Sequence, residues 1–244
     1  MSTAIVCVGT YNEIETLPRL AERVMAASTP DRQVELLVVD DNSPDGTGRW
    51  CAEQAEREPR FHVIHRPQKL GLGTAMITAL RFAVQRPYDH VVTMDADLSH
   101  DVSALPALID GLADADVVIG SRYVPGGEIR NWPLRRRILS GTANVVARAL
   151  LGLKARDCSS GYRAYRGEAL RRIDLDALRG TGYVFYEEIL AHLQWAGNRI
   201  AEVPITFVDR EHGQSKIGWR EISTSACTLG VIACRDRRRF PRHA

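Results

Sequence analysis

Residues 90–101 read HVVTMDADLSHD, an apolar run that ends in two aspartates. The first five residues have the character of a buried strand. Asp95 and Asp97 follow one residue apart, with Ser99 and His100 just beyond them. Residues two apart in an extended segment point to the same side, so the two carboxylates can converge, and their mutual repulsion raises one pKa. A cation held between them removes that conflict.

A metal site is one of two interpretations of this segment. Hard cations take oxygen ligands, and Mg²⁺ commonly binds one or two carboxylates together with substrate phosphates. Asp95 and Asp97 at a strand end therefore predict a cation that bridges to a diphosphate. The other interpretation is a solvated turn with two exposed acids, because this spacing is common by chance. The position directly after a core strand favours the metal site.

Short apolar runs recur on both sides of this strand. They are typical of strands at Ala4–Val8, Leu36–Val39, Phe61–His65 and Val117–Ile119. Helical spacing favours helices at Leu17–Met25, where Thr16 is a candidate N-cap, and at Thr74–Val84 and Leu105–Leu112. Short buried strands that alternate with amphipathic helices predict an α/β fold with a mainly parallel central sheet flanked by helices.

The pattern is less regular after Gly120. The spacing predicts a helix at Arg135–Leu151, a strand at Tyr162–Tyr165, a helix at Glu187–Trp195 and a strand at Ile200–Val208 that Pro204 interrupts. We expect a single domain over residues 1–244. Residues 1–120 form a nucleotide-binding half, residues 121–220 complete a second pocket, and residues 221–244 form an apolar helix with a basic tail.

Composition excludes some classes of protein. The chain has 244 residues, 45% of them hydrophobic, and a net charge of +2, so charge does not indicate a nucleic-acid partner. Its five cysteines form no CxxC pair, which favours buried reduced thiols over disulfides or a zinc site. We find no signal peptide and no run of about 18 apolar residues, and therefore expect a cytoplasmic protein.

Polar residues follow several predicted strands at the point where each strand ends. In open α/β sheets, ligands bind beyond the carboxyl ends of the strands. Any one of these segments could be ordinary turn chemistry, but four together indicate a site. Asp40 is a candidate partner for ribose hydroxyls, and Tyr11 either contacts a base or packs on the sheet edge. The four segments are Gly9–Glu13, Asp40–Thr47, Asp95–Asp97 and Ser121–Tyr123.

Two further patterns concern phosphate groups. Gly71 and Gly73 precede a helix, but the third glycine of a dinucleotide fingerprint is missing and the motif is not in the first strand–helix turn. A turn and close helix packing explain these glycines better. Arginine, lysine and hydroxyl side chains are suitable phosphate ligands. The candidates in the second half are Arg122, Arg136, Ser140 (one helical turn after Arg136), Arg210 and Lys216.

Nine segments in order resemble the polyprenol (dolichol) phosphate mannosyltransferases of the large inverting glycosyltransferase family 2. Their order and spacing match from about Ile5 to Ile222. Each motif is modest, but the ordered set is specific. The segments are TYNE (Thr10–Glu13), VVDDNSPDGT (Val38–Thr47), KLGLGTA (Lys69–Ala75), MDADLSH (Met94–His100), GSRYVPGG (Gly120–Gly127), WPLRRRILS (Trp132–Ser140), DCSSGYRAYR (Asp157–Arg166), GYVFYEE (Gly182–Glu188) and VPITFVDREHGQSKIG (Val203–Gly218).

The resemblance implies a GT-A-type, Rossmann-like fold, a GDP-mannose donor, Mg²⁺ or Mn²⁺, and a polyprenyl or dolichyl monophosphate acceptor bound by residues 121–220. The donor residues implied by matching position are Gly9, Tyr11, Glu13, Val38, Asp40, Asp95, Ala96, Asp97, Arg122, Arg210 and Lys216. The implied acceptor-phosphate ligands are Arg122, Arg136, Ser140 and Arg210. The implied catalytic residues are Asp95, Asp97 and Arg122, and the implied metal ligands are Asp95, Asp97 and Ser99.

Two residues depart from the family pattern. Gly9 stands where many members have proline beside the nucleotide. Ser99 stands where some members have a metal-binding glutamine, although other members share the serine. A weaker or water-mediated metal ligand at Ser99 is consistent with this difference.

A phosphate acceptor simplifies the expected chemistry. The second pKa of a phosphate monoester is about 6, so the nucleophile is largely dianionic at pH 7 and needs no strong general base. Direct in-line displacement then gives a β-linked sugar phosphate. Two alternatives stay open at this point. One is a related transferase that uses a glucosyl or aminoarabinosyl donor, and the other is a non-catalytic module that binds nucleotide sugars.

The C-terminal segment has two interpretations. Ile222–Cys234 is apolar but too short to span a bilayer, and it is followed by Arg235, Arg237, Arg238, Arg239 and Arg242. An apolar helix beside a basic tail suits peripheral contact with the cytoplasmic face of a membrane. A core helix with a solvated charged tail is the equally weighted alternative.

Overall fold

A seven-stranded sheet lies at the centre of the computed structural model, which describes residues 1–182, 184–209, 219–237 and 240, with only the backbone at 219–223. The spatial order is β3-β2-β1-β4-β7-β5-β8, and β7 alone is antiparallel to its neighbours. The mainly parallel sheet predicted from the sequence is confirmed. Its strands are β1 (Ser2–Thr10), β2 (Arg32–Asp40), β3 (Phe61–His65), β4 (His90–Asp95), β5 (Val117–Ser121), β7 (Arg163–Arg166) and β8 (Ile200–Pro204).

Helices cover the sheet, and a second, two-stranded sheet lies beside it. Strands β6 (Glu128–Arg130) and β9 (Thr206–Val208) pair in parallel in this small sheet. The large sheet takes strands from both halves of the chain. The helices of the described residues are α1 (Leu17–Ala26), α2 (Thr47–Arg57), α3 (Leu72–Val84), α4 (Leu105–Asp110), α5 (Leu134–Leu151), α6 (Gly167–Arg171), α7 (Val184–Trp195) and α8 (Trp219–Asp236).

The alternation of side chains along β1 explains why both faces of the sheet are covered. Ile5 and Cys7 pack into one hydrophobic cluster, whereas Val6 and Val8 pack into the other. Every residue from Ala4 to Val8 is fully buried. A strand that is apolar at every position requires a layer of helices on each side, as parallel sheets generally have.

Register brings the predicted functional segments to one edge of the sheet. Thr10 at the end of β1 pairs with Asp40 at the end of β2. On the other side, Gly9 pairs with Asp95 at the end of β4. The first three functional segments therefore begin side by side. The fourth begins at Ser121, the last residue of β5.

Some local predictions differ from the structure. Thr16 precedes α1 as expected, but its hydroxyl donates to Glu13 and caps no backbone N–H. The expected single strand over Ile200–Val208 is two strands in two different sheets. Proline has no N–H for a ladder, and β8 ends at Pro204. Helix α2 and strand β6 were not predicted.

The cysteines and the helices bear on two further expectations. Cys7, Cys51 and Cys158 are buried and free, as expected, but Cys227 and Cys234 on α8 are exposed. The prediction of buried thiols was therefore wrong for α8, whose outer face carries them. Among the described helices, none combines the length and the apolar character that crossing a bilayer requires.

Gly48 in the first turn of α2 provides a test of this packing. A Cβ at Gly48 would lie 2.5 Å from Oδ2 of Asp40, whereas a Cβ at Gly141 in α5 would meet nothing within 4 Å. We expect Gly48→Ala to destabilise the protein by about 1–3 kcal/mol, as overpacking does. We expect Gly141→Ala to stabilise it by about 0.5–1 kcal/mol, because alanine favours a helix. Urea unfolding measures both, and equal effects would contradict the close approach of α2 to Asp40.

Candidate active site

The aspartate segment after β4 forms a short, constrained loop. Asp95 is the last residue of the strand, and both it and Asp97 are partly exposed at the sheet edge. Oδ1 of Asp97 accepts a hydrogen bond from the backbone N–H of Ser99 at 3.1 Å. Between them Leu98 has a φ of 60°, a left-handed conformation that leucine rarely adopts. The backbone therefore turns sharply at this point, and the bond to Ser99 fixes the carboxylate of Asp97 within the turn.

The buried side chain of His100 stabilises this loop through a hydrogen bond. Its Nδ1 accepts the backbone N–H of Asp95 at 3.2 Å, and its ring stacks on Tyr162 with centroids 5.0 Å apart. Burial lowers the pKa of His100 more than the nearby carboxylates of Asp95 and Asp97 raise it. The imidazole is thus neutral at pH 7, with its proton on Nε2. Sequence reasoning noted His100 only as a neighbour of the two aspartates.

The residues at this loop suit a hard divalent cation. Asp95 and Asp97 offer carboxylate oxygens, and the buried Oγ of Ser99 has no hydrogen-bond partner among the described residues. An all-oxygen donor set is what Mg²⁺ and Mn²⁺ prefer. Two protein carboxylates leave coordination positions for phosphate oxygens and water. The observed residues therefore fit the predicted cation.

Asp40, the candidate ribose partner, lies at the same edge but is buried. Its Oδ1 accepts the hydroxyl of Ser43 at 2.6 Å, and its Oδ2 lies 3.6 Å from Nδ1 of His65. In this structure the carboxylate thus holds the loop after β2. Ser43 in turn accepts the N–H of Asn12 at 2.9 Å, which joins the loops after β1 and β2.

Asp41 carries a structural role that the sequence analysis did not assign. It forms a buried ion pair with Arg66 and accepts the N–H groups of Leu70 (3.1 Å) and Gly71 (2.9 Å). These bonds draw the loop before α3 toward the ends of β1 and β2. Lys69 in that loop lies with its Nζ 3.7 Å from the ring centroid of Tyr11. The ammonium group of Lys69 therefore lies against the aromatic ring that is expected to contact the base.

Three other donor residues implied by the resemblance do not present side chains to the site. Val38 is fully buried in a core cluster, and Ala96 is buried in the same cluster. A Cβ at Gly9 would face α3, with Met76 at 3.1 Å and Ala75 at 3.2 Å. At these positions only the backbone can face a ligand. Glu13 is partly exposed.

Arg122 is held in place by a buried carboxylate. Its Nε and Nη2 donate to the two oxygens of Asp157 at 2.8 and 2.7 Å, and its Nη2 also donates to Ser159 at 2.9 Å. Burial alone would raise the pKa of Asp157, but the charge and hydrogen bonds of Arg122, aided by Arg163, hold it below its usual range. The guanidinium is therefore oriented before any substrate arrives.

Two of the other predicted phosphate ligands, Arg136 and Ser140, lie on α5. Nη1 of Arg136 donates to Asp209 at 2.6 Å, and its guanidinium stacks 4.1 Å from the ring of Trp132. Ser140 accepts the hydroxyl hydrogen of Tyr123 at 2.9 Å. Arg210 and Lys216 fall outside the described residues.

A cavity of about 100 Å³ brings the two predicted ends of the site together. It extends from Asp95 to Arg122, Arg136 and Ser140, which the sequence placed in separate halves. Helices α5 and α8 supply its apolar wall. Asp95 and the cationic side chains thus border one continuous space.

Glu187 also lines this cavity, and the sequence analysis missed it. It is only 4% exposed, and its carboxyl makes no hydrogen bond or ion pair within the described part of the chain. Burial raises its pKa to about 8, and the charge of Arg163 offsets this only in part. The signal available in the sequence was an acidic pair, Glu187–Glu188, inside an otherwise apolar helix.

The neighbouring glutamate has a different environment. Glu188 accepts the N–H groups of Arg179 and Gly180 at 2.8 and 2.6 Å and pairs with Arg235 of α8 at 3.1 Å. His192 and Asp236 lie close enough to it to resemble a metal cluster. Because Arg235 pairs with both Glu188 and Asp236, a cationic side chain already lies between the two carboxylates, and the cluster fastens α8 to α7.

Replacing Asp157 tests whether its ion pair is structurally essential. Asp157→Ala leaves the Arg122 guanidinium buried without its carboxylate, and we expect a loss of about 3–5 kcal/mol. Asp110→Ala is the control, because Asp110 pairs with Arg32 at the surface and its side chain is 64% exposed. That loss should be below about 1 kcal/mol. Urea unfolding compares the two, and similar losses would contradict the assigned role.

The chain is similar to known glycosyltransferases along most of its length. Residues 5–174 match the family model described as glycosyl transferase family 2. The undecaprenyl-phosphate mannosyltransferase of Micrococcus luteus is 49% identical over 210 residues, which are 86% of this chain and 85% of that protein. The polyprenol monophosphomannose synthase of Mycolicibacterium smegmatis is 46% identical over 240 residues, covering 96% and 89%. The resemblance found in the motifs is confirmed.

Solved structures confirm the fold class. Glucosyl-3-phosphoglycerate synthase of Mycobacterium tuberculosis, in complex with Mn²⁺, UDP and glucosyl-3-phosphoglycerate, superposes with a TM-score of 0.63 at 19% identity. The match covers 99% of this chain and 81% of that one. The same enzyme with Mg²⁺ and UDP gives the same score at 18% identity. These structures share the GT-A-type fold, and the sequence matches show that this chain is a glycosyltransferase that belongs to glycosyl transferase family 2.

Proposed function

We propose that the protein transfers mannose from GDP-mannose to a polyprenyl or dolichyl monophosphate, with inversion, to give a β-linked polyprenyl phosphate mannose. The observation that carries this proposal is the cavity that joins Asp95 to Arg122, Arg136 and Ser140. The names of the relatives from Micrococcus luteus and Mycolicibacterium smegmatis support the same sugar and the same class of lipid.

The donor occupies the edge formed by β1, β2 and β4. Tyr11 contacts the base, with Lys69 beside its ring, and the diphosphate lies at Asp95 and Asp97. A bound Mg²⁺ or Mn²⁺ would neutralise the charge that develops on the departing diphosphate. His100 keeps the backbone of Asp95 in position through its Nδ1.

The acceptor phosphate occupies the cationic end of the cavity. Its repulsion from the donor diphosphate is the main obstacle to reaction, since both groups carry negative charge. Arg122 is oriented by Asp157, and Arg136 and Ser140 lie nearby on α5. These donors stabilise the bound anion and direct one of its oxygens at the sugar. The phosphate is already largely deprotonated at pH 7, so no side chain has to remove a proton.

The wall of the cavity suits the first carbons of an isoprenoid chain. Ala143 and Val146 of α5 face Ala226 and Leu229 of α8 across it. A lipid whose phosphate lies at Ser140 would place its hydrocarbon between these two helices. Binding there is favourable because it removes apolar surface of both the lipid and the two helices from water.

Peripheral contact with a bilayer is part of the proposal. Leu134, Ile138 and Val145 are 73%, 54% and 63% exposed, and their spacing puts them on one stripe of α5. Arg135 and Arg137 flank the stripe and are exposed. Apolar side chains beside basic ones are the pattern of helices that lie on anionic membranes.

The activity is tested with the purified protein, GDP-mannose and polyprenyl phosphate in the presence of Mg²⁺ or Mn²⁺. We expect a lipid-linked product whose β-anomeric configuration is read by nuclear magnetic resonance. EDTA should abolish its formation. Asp97→Ala should lower kcat by about 100-fold or more, because charge stabilisation at the leaving group is lost. Asp101→Ala removes an acid whose carboxylate, among the described residues, accepts the N–H of Ser103, and it should leave kcat unchanged.

Two results would overturn this proposal. An α-linked product would exclude direct displacement. Turnover of a glucosyl or aminoarabinosyl nucleotide, with none of GDP-mannose, would reassign the donor.

Membrane contact is tested by flotation with vesicles that contain anionic lipid. The double variant Ile138→Asp and Val145→Asp should lose most vesicle binding, because it places two charges on the apolar stripe. Leu70→Asp is the control, since Leu70 is also exposed but lies in the loop before α3. Equal flotation of the double variant and the wild type would exclude this surface.

A further inference from the structure

Glu187 lines the cavity, but the proposed reaction assigns it no role. It lies in the first turn of α7 and lines the same cavity as Asp95, Arg122 and Ser140. Its backbone is held in place, because the buried Arg163 donates to the carbonyl of Tyr186 at 2.6 Å. The carboxyl is therefore held at the cavity wall by a rigid element.

A purely structural role does not explain this carboxyl. A buried polar group destabilises the folded protein when it has no hydrogen-bond partner, and most buried polar groups therefore have one. Glu188, the next residue, accepts two backbone N–H groups and an arginine. Within the described part of the chain Glu187 has no such bonds, and it borders the empty space of the cavity. A ligand that brings a hydrogen-bonding group would satisfy it.

The charges around the cavity indicate which part of the ligand this is. The diphosphate belongs at Asp95 and Asp97, where a cation fits, and the acceptor phosphate belongs at Arg122 and Arg136. Either anion would repel the ionised form of Glu187 and could bond only its protonated form, through a single O–H donor. Between the two anions lies the group that is transferred, a neutral hexose with several hydroxyls. A hydroxyl both donates and accepts, so it pairs with a carboxyl in either protonation state.

We propose that Glu187 hydrogen-bonds a hydroxyl of the transferred hexose and thereby determines which sugar the enzyme accepts. This inference rests on the proposed function for the identity of the donor. It adds a specificity-determining residue from α7 to a site otherwise built on the sheet edge and α5. A site that hydrogen-bonds a substrate hydroxyl discriminates strongly against analogues that lack it, because the buried group is then left unpaired.

Binding of GDP-mannose is compared with binding of GDP by titration calorimetry. Glu187→Leu keeps approximate size but cannot bond a hydroxyl, and it should weaken GDP-mannose binding about tenfold or more while GDP binds as before. Glu187→Gln keeps a hydrogen-bonding group of the same length and should retain most of the affinity. Equal weakening of GDP and GDP-mannose, or no weakening of either, would overturn the inference.

Deoxy analogues of the donor locate the hydroxyl. For the wild type, one monodeoxy GDP-mannose should show a kcat/KM at least tenfold lower than GDP-mannose. In Glu187→Leu that difference should disappear for the same analogue. If every analogue is discriminated equally by both proteins, Glu187 does not contact the sugar.

Glu188→Gln is the matched control, because it alters the adjacent glutamate. It should lower the melting temperature by loosening α7 from α8, and it should leave the ratio of GDP-mannose to GDP affinity unchanged. Failure of the proposed function is distinguishable from failure of this inference. If the wild type turns over a different nucleotide hexose, the same comparison is made between that donor and its free nucleotide.

Discussion

The hydrogen-bonded ion pair between Arg122 and Asp157 is the interaction on which the site depends. It joins the end of β5 to the segment that precedes β7. Ser159 in that segment also accepts from Asn144 of α5, and Glu202 of β8 accepts the N–H of Asp157. One network therefore connects two strands, a loop and the helix that carries the acceptor candidates. It thereby holds together Arg122, Ser140 and Ser159, which line the cavity.

The antiparallel strand explains how that loop reaches the site. In a parallel sheet, the segments after the strands meet at one edge. Strand β7 runs in the opposite direction between β4 and β5, so the segment before it lies at that same edge. This is why Ser159 and Gly161 line the cavity with Asp95. A single reversed strand thus adds a second wall to the edge at which β1, β2 and β4 end.

Two adjacent glutamates illustrate how burial and partners divide roles within one helix. Glu188 is paired and fastens α8, whereas Glu187 is buried beside open space and has its pKa raised to about 8. The type of residue is the same, and only the surroundings differ. The attachment of α8 through Arg235 also determines the cavity, because α8 forms part of its apolar wall. Helix α7 therefore both anchors α8 and contributes Glu187 to the cavity.

The sequence by itself determined the fold class, because continuous apolar runs and the helical period of 3.6 residues reflect local geometry and burial. It also predicted the aspartate segment and the cationic candidates, because each of these motifs is short and local. Only the tertiary structure decided that Ala96 is buried, that Asp157 orients Arg122, and that Glu187 lines the cavity. These properties depend on contacts between residues that are distant in sequence, and neither the reversal of β7 nor the docking of α8 has a local signal.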